Sequence, residues 1–107
     1  MNTLSSHVLD TANGKPVANL PLELLLPNGK KVIAITDEDG RCSSWDEAEF
    51  VPGQYQLRFL VKPYLIQTHG SSFYPHVDVH FELQSDNAHY HVPLLISPFG
   101  FSSYRGS

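Results

Sequence analysis

The chain of 107 residues contains one cysteine, Cys42, one methionine and one tryptophan. A single cysteine excludes an intrachain disulfide and any zinc site built from several thiolates. It suits a reducing compartment, so a cytoplasmic setting is expected. Positive charge is also scarce, with 7 Lys plus Arg against 11 Asp plus Glu and a formal net charge of -4. Without clustered Lys or Arg, an acidic chain has little with which to neutralise a phosphate backbone or an anionic bilayer surface, so neither nucleic acid nor membrane is an expected partner. No apolar run is long enough to span a bilayer, and Met1-Asn2-Thr3-Leu4-Ser5-Ser6 lacks the basic and apolar regions of a secretory leader. Internal repeats, low-complexity tracts and linkers are missing too. With 41% hydrophobic and 17% charged residues, the composition is that of a globular core, and residues 1–107 are expected to form a single domain.

What the chain does have is alternation with a period of two. Leu20, Leu22, Leu24 and Leu26 share one face, Pro21 and Glu23 the other, and the run ends at the hairpin signal Asn28-Gly29 before a returning strand from Lys31 to Thr36. Tyr55, Leu57, Phe59 and Val61 alternate with Gln54, Gln56 and Arg58, and Val77, Val79, Phe81 and Leu83 with Asp78, His80 and Glu82, ahead of a turn at Ser85-Asp86-Asn87. Only Pro63 to His69 breaks the pattern, with proline at a plausible first helical position and Gly70 where a C-cap would sit, so one short helix is expected. About seven or eight short strands between Gly, Pro and Asn turns indicate an all-β antiparallel sandwich or barrel.

The last stretch, from His89 to Ser107, is too rich in aromatics and aliphatics for a disordered tail. Parity puts Leu4, Val8, Tyr90, Val92, Leu94 and Ile96 inward. Ser5, His7, Leu9, His89, His91, Pro93 and Leu95 then point outward. Imidazoles mixed with leucines on an outer face suggest a subunit interface or ligand groove. If the two end strands are neighbours, directly opposed residues lie about 5 Å apart, which would let His7 and His91 share a site. Pro93 conflicts with a central strand, since it has no N–H to donate; it marks either a functional violation or an edge strand.

Ser6-His7-Val8-Leu9-Asp10, Asp39-Gly40-Arg41, His89 to Pro98 and the terminal Tyr104-Arg105-Gly106-Ser107 together resemble the transthyretin-related 5-hydroxyisourate hydrolases of purine degradation. Gly53 to Phe59 and Phe73 to Val77 extend the likeness over essentially the whole chain. Tyr-Arg-Gly-Ser is its most specific element, because it separates the hydrolases from transthyretin proper. The resemblance implies a sandwich of two four-stranded sheets with a short helix after the fifth strand. It also implies a homotetramer, a dimer of dimers, with active sites in the channel between dimers, and a reaction without metal or organic cofactor. Carried onto this chain, the family's catalytic residues are His7, Arg41, His91 and Ser107, with Tyr104 joining them in substrate binding. Ile96, Phe99 and His76 depart from the family pattern without touching this group.

These residue types suit hydrolytic opening of a ring amide. The reaction needs a base for water, donors or a cation for the developing oxyanion, and an acid for the departing nitrogen. Histidine, with a pKa of about 6.5, serves as base or acid at neutral pH, and which of His7 and His91 does which stays open. Arg41 stays charged and presents a fork of donors to imide-like oxygens. Ser107 offers a hydroxyl and, as the last residue, a carboxylate, while Tyr104 and Arg105 hold the tail or close the channel.

Blander roles are expected elsewhere. His69, His76, His80 and His89 read as solvated surface residues, and pairs such as His89 with His91 fall short of the three ligands of a catalytic zinc site. Cys42, beside Arg41, reads as a half-buried strand residue rather than a nucleophile. Asp37-Glu38-Asp39 reads as a solvated turn without the ligand spacing of a calcium loop. The rival from another class is a non-catalytic transthyretin-type carrier of a small aromatic ligand, which the polar, chargeable outer face disfavours.

Overall fold

A computed structural model describes residues 1–84 and 87–106. Its strands are β1 (Thr3–Asp10), β2 (Lys15–Pro16), β3 (Pro21–Leu25), β4 (Lys31–Ile35), β5 (Arg41–Cys42), β6 (Gly53–Phe59), β7 (Val77–Leu83), β8 (His89–Ser97) and β9 (Gly100–Ser103), with helix α1 (Lys62–His69) between β6 and β7. One sheet has the order β4-β3-β6-β7; the other is β2-β1-β8-β9, with β5 beside β1. Setting aside the two-residue β2 leaves two four-stranded sheets and a helix after the fifth strand, as the resemblance implied.

Alternation explains the core. Leu20, Leu22, Leu24, Tyr55, Leu57, Phe59 and Val61 bury inward from one sheet, and Leu4, Val8, Tyr90, Val92, Leu94 and Ile96 meet them from the other. Each buried aliphatic side chain contributes on the order of 1.5–3 kcal/mol, so the two facing sets are the main driving force for this layering. Polar groups inside are partnered: the indole Nε1 of Trp45 donates to the Leu4 carbonyl at 2.7 Å, and Thr36 Oγ1 donates to the Val17 carbonyl at 2.7 Å. Helix α1 ends at Gly70, whose φ of 80° is the left-handed C-cap that glycine adopts freely, and its N–H donates to the Ile66 carbonyl.

Three expectations need correction. First, β1 and β8 pair in parallel, not antiparallel, in an otherwise antiparallel sandwich. Side-chain alternation is the same for both directions, so the pattern alone is blind to this. Second, Val79 and Phe81 are only half-buried, because β7 is an edge strand and a cleft of about 410 Å³ opens between it and Tyr90, Val92 and Ser103. Third, Pro93 sits in a strand flanked on both sides, yet it leaves no ladder donor missing toward β1. His91 accepts from the Gly106 N–H, so odd residues of β8 turn their backbone groups toward β9, and the proline gap falls on that side. There the Pro93 carbonyl accepts from Ser103 Oγ at 2.8 Å. Ser85 and Asp86 of the expected turn lie outside the described residues.

Candidate functional site

Arg41 reaches its place through a turn that the acidic residues build. Asp37 Oδ1 accepts the backbone N–H groups of Asp39 and Arg41, each at 2.9 Å, and Gly40 adopts φ 75° with its carbonyl accepting from Val8 N–H at 2.8 Å. A Cβ at position 40 would lie 2.6 Å from the Val8 carbonyl oxygen, so glycine is required sterically as well as conformationally. The turn therefore stitches β5 to β1 with Arg41 opposite His7.

On the other flank of β1, His7 opposes Pro93 and Ser5 opposes His91. The two histidines are thus diagonal rather than directly opposed, on the same sheet face but offset by two residues along the parallel ladder. His7 Nε2 donates to the Asp39 carbonyl at 3.0 Å; a carbonyl can only accept, so Nε2 carries the proton and Nδ1 is left for a ligand. His91 uses Nδ1 on Ser5 Oγ at 2.8 Å. Burial holds the His91 imidazole below its ordinary range, and the nearby Arg41 guanidinium pushes the same way, offset in part by a hydrogen bond at Ser5. At neutral pH His91 is therefore a neutral acceptor.

The tail returns to this group. Leu94 pairs with Ser103 and His91 with Gly106, so residues beyond β9 resume the β9 register after the break at Pro93. A Cβ on Gly106 would lie 2.4 Å from His91 Cδ2, which puts the backbone of residue 106 against the imidazole ring. Arg105 sits over the Tyr90 ring at 4.5 Å and fastens the tail from the core side. Tyr104 falls opposite Pro93 in that register and is exposed. Ser107 lies outside the described residues.

Four sequence expectations for other residues meet the structure here. His69 is not solvated: its Nε2 donates to Asp10 Oδ2 at 2.7 Å, beside Tyr64 Oη at 2.5 Å, because a fully buried carboxylate needs donors. His89 is exposed but engaged, with Nδ1 2.6 Å from Thr3 Oγ1 and Nε2 3.0 Å from Ser5 Oγ. Cys42 is buried rather than half-buried, at 4% exposure, and burial pushes its thiol pKa up, so it stays an unreactive thiol. Among the described residues no three His, Cys, Asp or Glu side chains gather where they could hold a metal ion. Ser5, His89 and Gly106 were not marked by sequence reasoning as partners of His91. Their parity was visible, but the parallel register that makes them neighbours was not.

Residues 4–106 match the HIUase/Transthyretin family. The chain belongs to that family. Within it, this member is 43% identical over 115 residues to the 5-hydroxyisourate hydrolase of Mesorhizobium japonicum, covering 97% of this chain and 91% of the relative. It is 40% identical over 111 residues to the 5-hydroxyisourate hydrolase of Salmonella dublin, covering 99% and 82%. Among solved structures, the Klebsiella pneumoniae 5-hydroxyisourate hydrolase superposes with a TM-score of 0.88 at 30% identity over 100% of both chains. Transthyretin from Sparus aurata reaches 0.85 at 24% identity over 97% of this chain and 96% of its own, a likeness of fold alone.

Proposed function

We propose that this family member is a cofactor-free hydrolase that opens the ring amide of 5-hydroxyisourate to 2-oxo-4-hydroxy-4-carboxy-5-ureidoimidazoline in urate degradation. The observation that carries the reading is the meeting of His7, Arg41 and His91 on one sheet face, in a chain whose full-length relatives bear that enzyme's name. His91 acts as the base: its depressed pKa keeps Nε2 free to take a proton from water attacking the ring carbonyl. Arg41 binds the carbonyl oxygen and stabilises the oxyanion as it forms. His7, held by the Asp39 carbonyl, orients the substrate through Nδ1. The proton taken by His91 then passes to the departing ureido nitrogen as the C–N bond breaks, leaving a carboxylic acid that ionises in water. Tyr104 binds the substrate, and Ser107 is assigned to catalysis and substrate binding on the family's terminal motif alone.

The working unit in this proposal is a homotetramer in the cytoplasm, with the His7 and His91 face lining a channel between dimers. Half-buried Leu9 and Leu95 beside the imidazoles, and the open edges of β7 and β9, support assembly. A single buried thiol suits a reducing compartment. No helix among the described residues is long and apolar enough to cross a membrane.

The test is the ultraviolet-monitored decay of freshly generated 5-hydroxyisourate. Catalytic amounts of the protein are expected to accelerate decay above the spontaneous rate over many turnovers. Binding without turnover would return the chain to the carrier reading.

A further inference from the structure

A line of hydrogen-bonded side chains leads away from the candidate site, and no step above uses it. It starts at His91 Nδ1, 2.8 Å from Ser5 Oγ; that hydroxyl lies 3.0 Å from His89 Nε2, and His89 Nδ1 lies 2.6 Å from Thr3 Oγ1. The parallel pairing of β1 with β8 builds the line, because it sets Ser5 opposite His91 and Thr3 opposite His89 on one outer face. Each neutral imidazole has one donor and one acceptor nitrogen, and each hydroxyl can do both. The line is complete as a one-way run of donors: His91 Nδ1–H to Ser5, Ser5 O–H to His89 Nε2, His89 Nδ1–H to Thr3. In that direction His91 presents a bare Nε2.

We propose that Ser5 and His89 are positioning residues for His91: they fix its Nδ1–H tautomer and take up the charge it would otherwise hold while the ring amide opens. The inference rests on the hydrolase reading above. When His91 Nε2 accepts the proton of the attacking water, its Nδ1 proton passes to Ser5 Oγ, and the Ser5 hydroxyl proton passes to His89 Nε2. His89 then carries the positive charge. When Nε2 releases its proton to the departing nitrogen, the two shifts reverse and every group returns to its starting form, so no proton is gained or lost along the line.

The reason for such a device is local charge. The nearest fixed charge felt by His91 is that of Arg41, which is permanently cationic. A proton resting on His91 would face that guanidinium from a half-buried position. His89 is exposed, so water solvates its charged form.

The experiment compares wild type with Ser5→Ala, Ser5→Thr and His89→Gln, each checked for an unchanged melting temperature. In Ser5→Ala and His89→Gln, kcat is expected to fall by about 10- to 100-fold with KM nearly constant, as for residues that act through a reacting group. Ser5→Thr keeps the hydroxyl and should recover most of the loss. The tautomer of the His91 ring adds a readout that packing alone would not move. Nitrogen-15 spectra of the histidine rings should show His91 as the Nδ1–H tautomer in wild type and mixed tautomers in Ser5→Ala. Wild-type kcat and an unchanged His91 tautomer in both variants would overturn the inference. An inactive wild type would instead reject the hydrolase reading, and the ring spectra would still decide the tautomer.

Discussion

Gly106 shows how much of the candidate site depends on one missing side chain. A methyl group there would lie 2.4 Å from His91 Cδ2, far inside van der Waals contact, so the ring or the tail must move. Because displacement of a reacting group by about 1 Å can lower rates by 10²-fold, Gly106→Ala should reduce kcat/KM by at least an order of magnitude while the melting temperature stays close to wild type. Steady-state kinetics and thermal unfolding on the same preparation check this. His91 itself sets the pH dependence. Its pKa is lowered by burial and by Arg41, so the neutral, proposed active form persists below the ordinary histidine range of 6.5, and kcat/KM should hold on acidification until pH falls beneath that value. A midpoint above 6.5 would contradict the charge environment described. His7, Arg41 and His91 were legible from parity and the family motifs. Their diagonal spacing, the Ser5 contact and the pressure of Gly106 were not, since each depends on a register that alternation does not encode.

At the scale of elements, the fold was legible wherever one face is apolar, and less so where ends meet. The inward sets of β3, β6 and β8 follow directly from their alternation, and the Pro63 to Gly70 helix from its proline and glycine. The clamp between β1 and α1 was not legible, because Asp10, Tyr64 and His69 look like three unrelated polar residues. In the structure Asp10 is buried and accepts from Tyr64, His69 and the N–H groups of Ala12 and Asn13. Burial alone would raise its pKa, but these donors outweigh it and leave it lowered from 3.8. A lowered folded-state value means the carboxylate adds stability above the unfolded pKa, and this is lost as pH falls through the folded one. Asp10→Asn should therefore destabilise by about 1–3 kcal/mol at pH 7, and by much less once the pH lies below the folded-state pKa, measured by denaturant unfolding. The tail is a second element with a separable role. Removing Tyr104 to Ser107 leaves β9 and the buried core set intact, so the shortened protein should fold and keep its assembly but lose turnover; full activity would reduce the tail to packing.

The whole molecule carries a surface that a lone protomer does not explain. Phe73 and Phe99 are each 70% exposed, and Phe73, Tyr74 and Phe101 form a ladder of edge-on rings with centroids 5.1 Å apart. This aromatic group, with the open edges of β7 and β9, is the face that assembly should cover in the proposed tetramer. Phe73→Asp would place a charge in that contact and should shift light-scattering mass from tetramer toward smaller species; an unchanged mass would locate the interface elsewhere.

The most direct measurement is stopped-flow decay of 5-hydroxyisourate with wild type and with His7→Asn, Arg41→Ala and His91→Asn, at equal folded concentration. Wild type is expected to hydrolyse the substrate catalytically, and each variant to lose about 10²- to 10⁴-fold in kcat/KM, the range for removing an acid, base or oxyanion donor. Undiminished turnover in all three variants would contradict the assignment of the reaction to this sheet face.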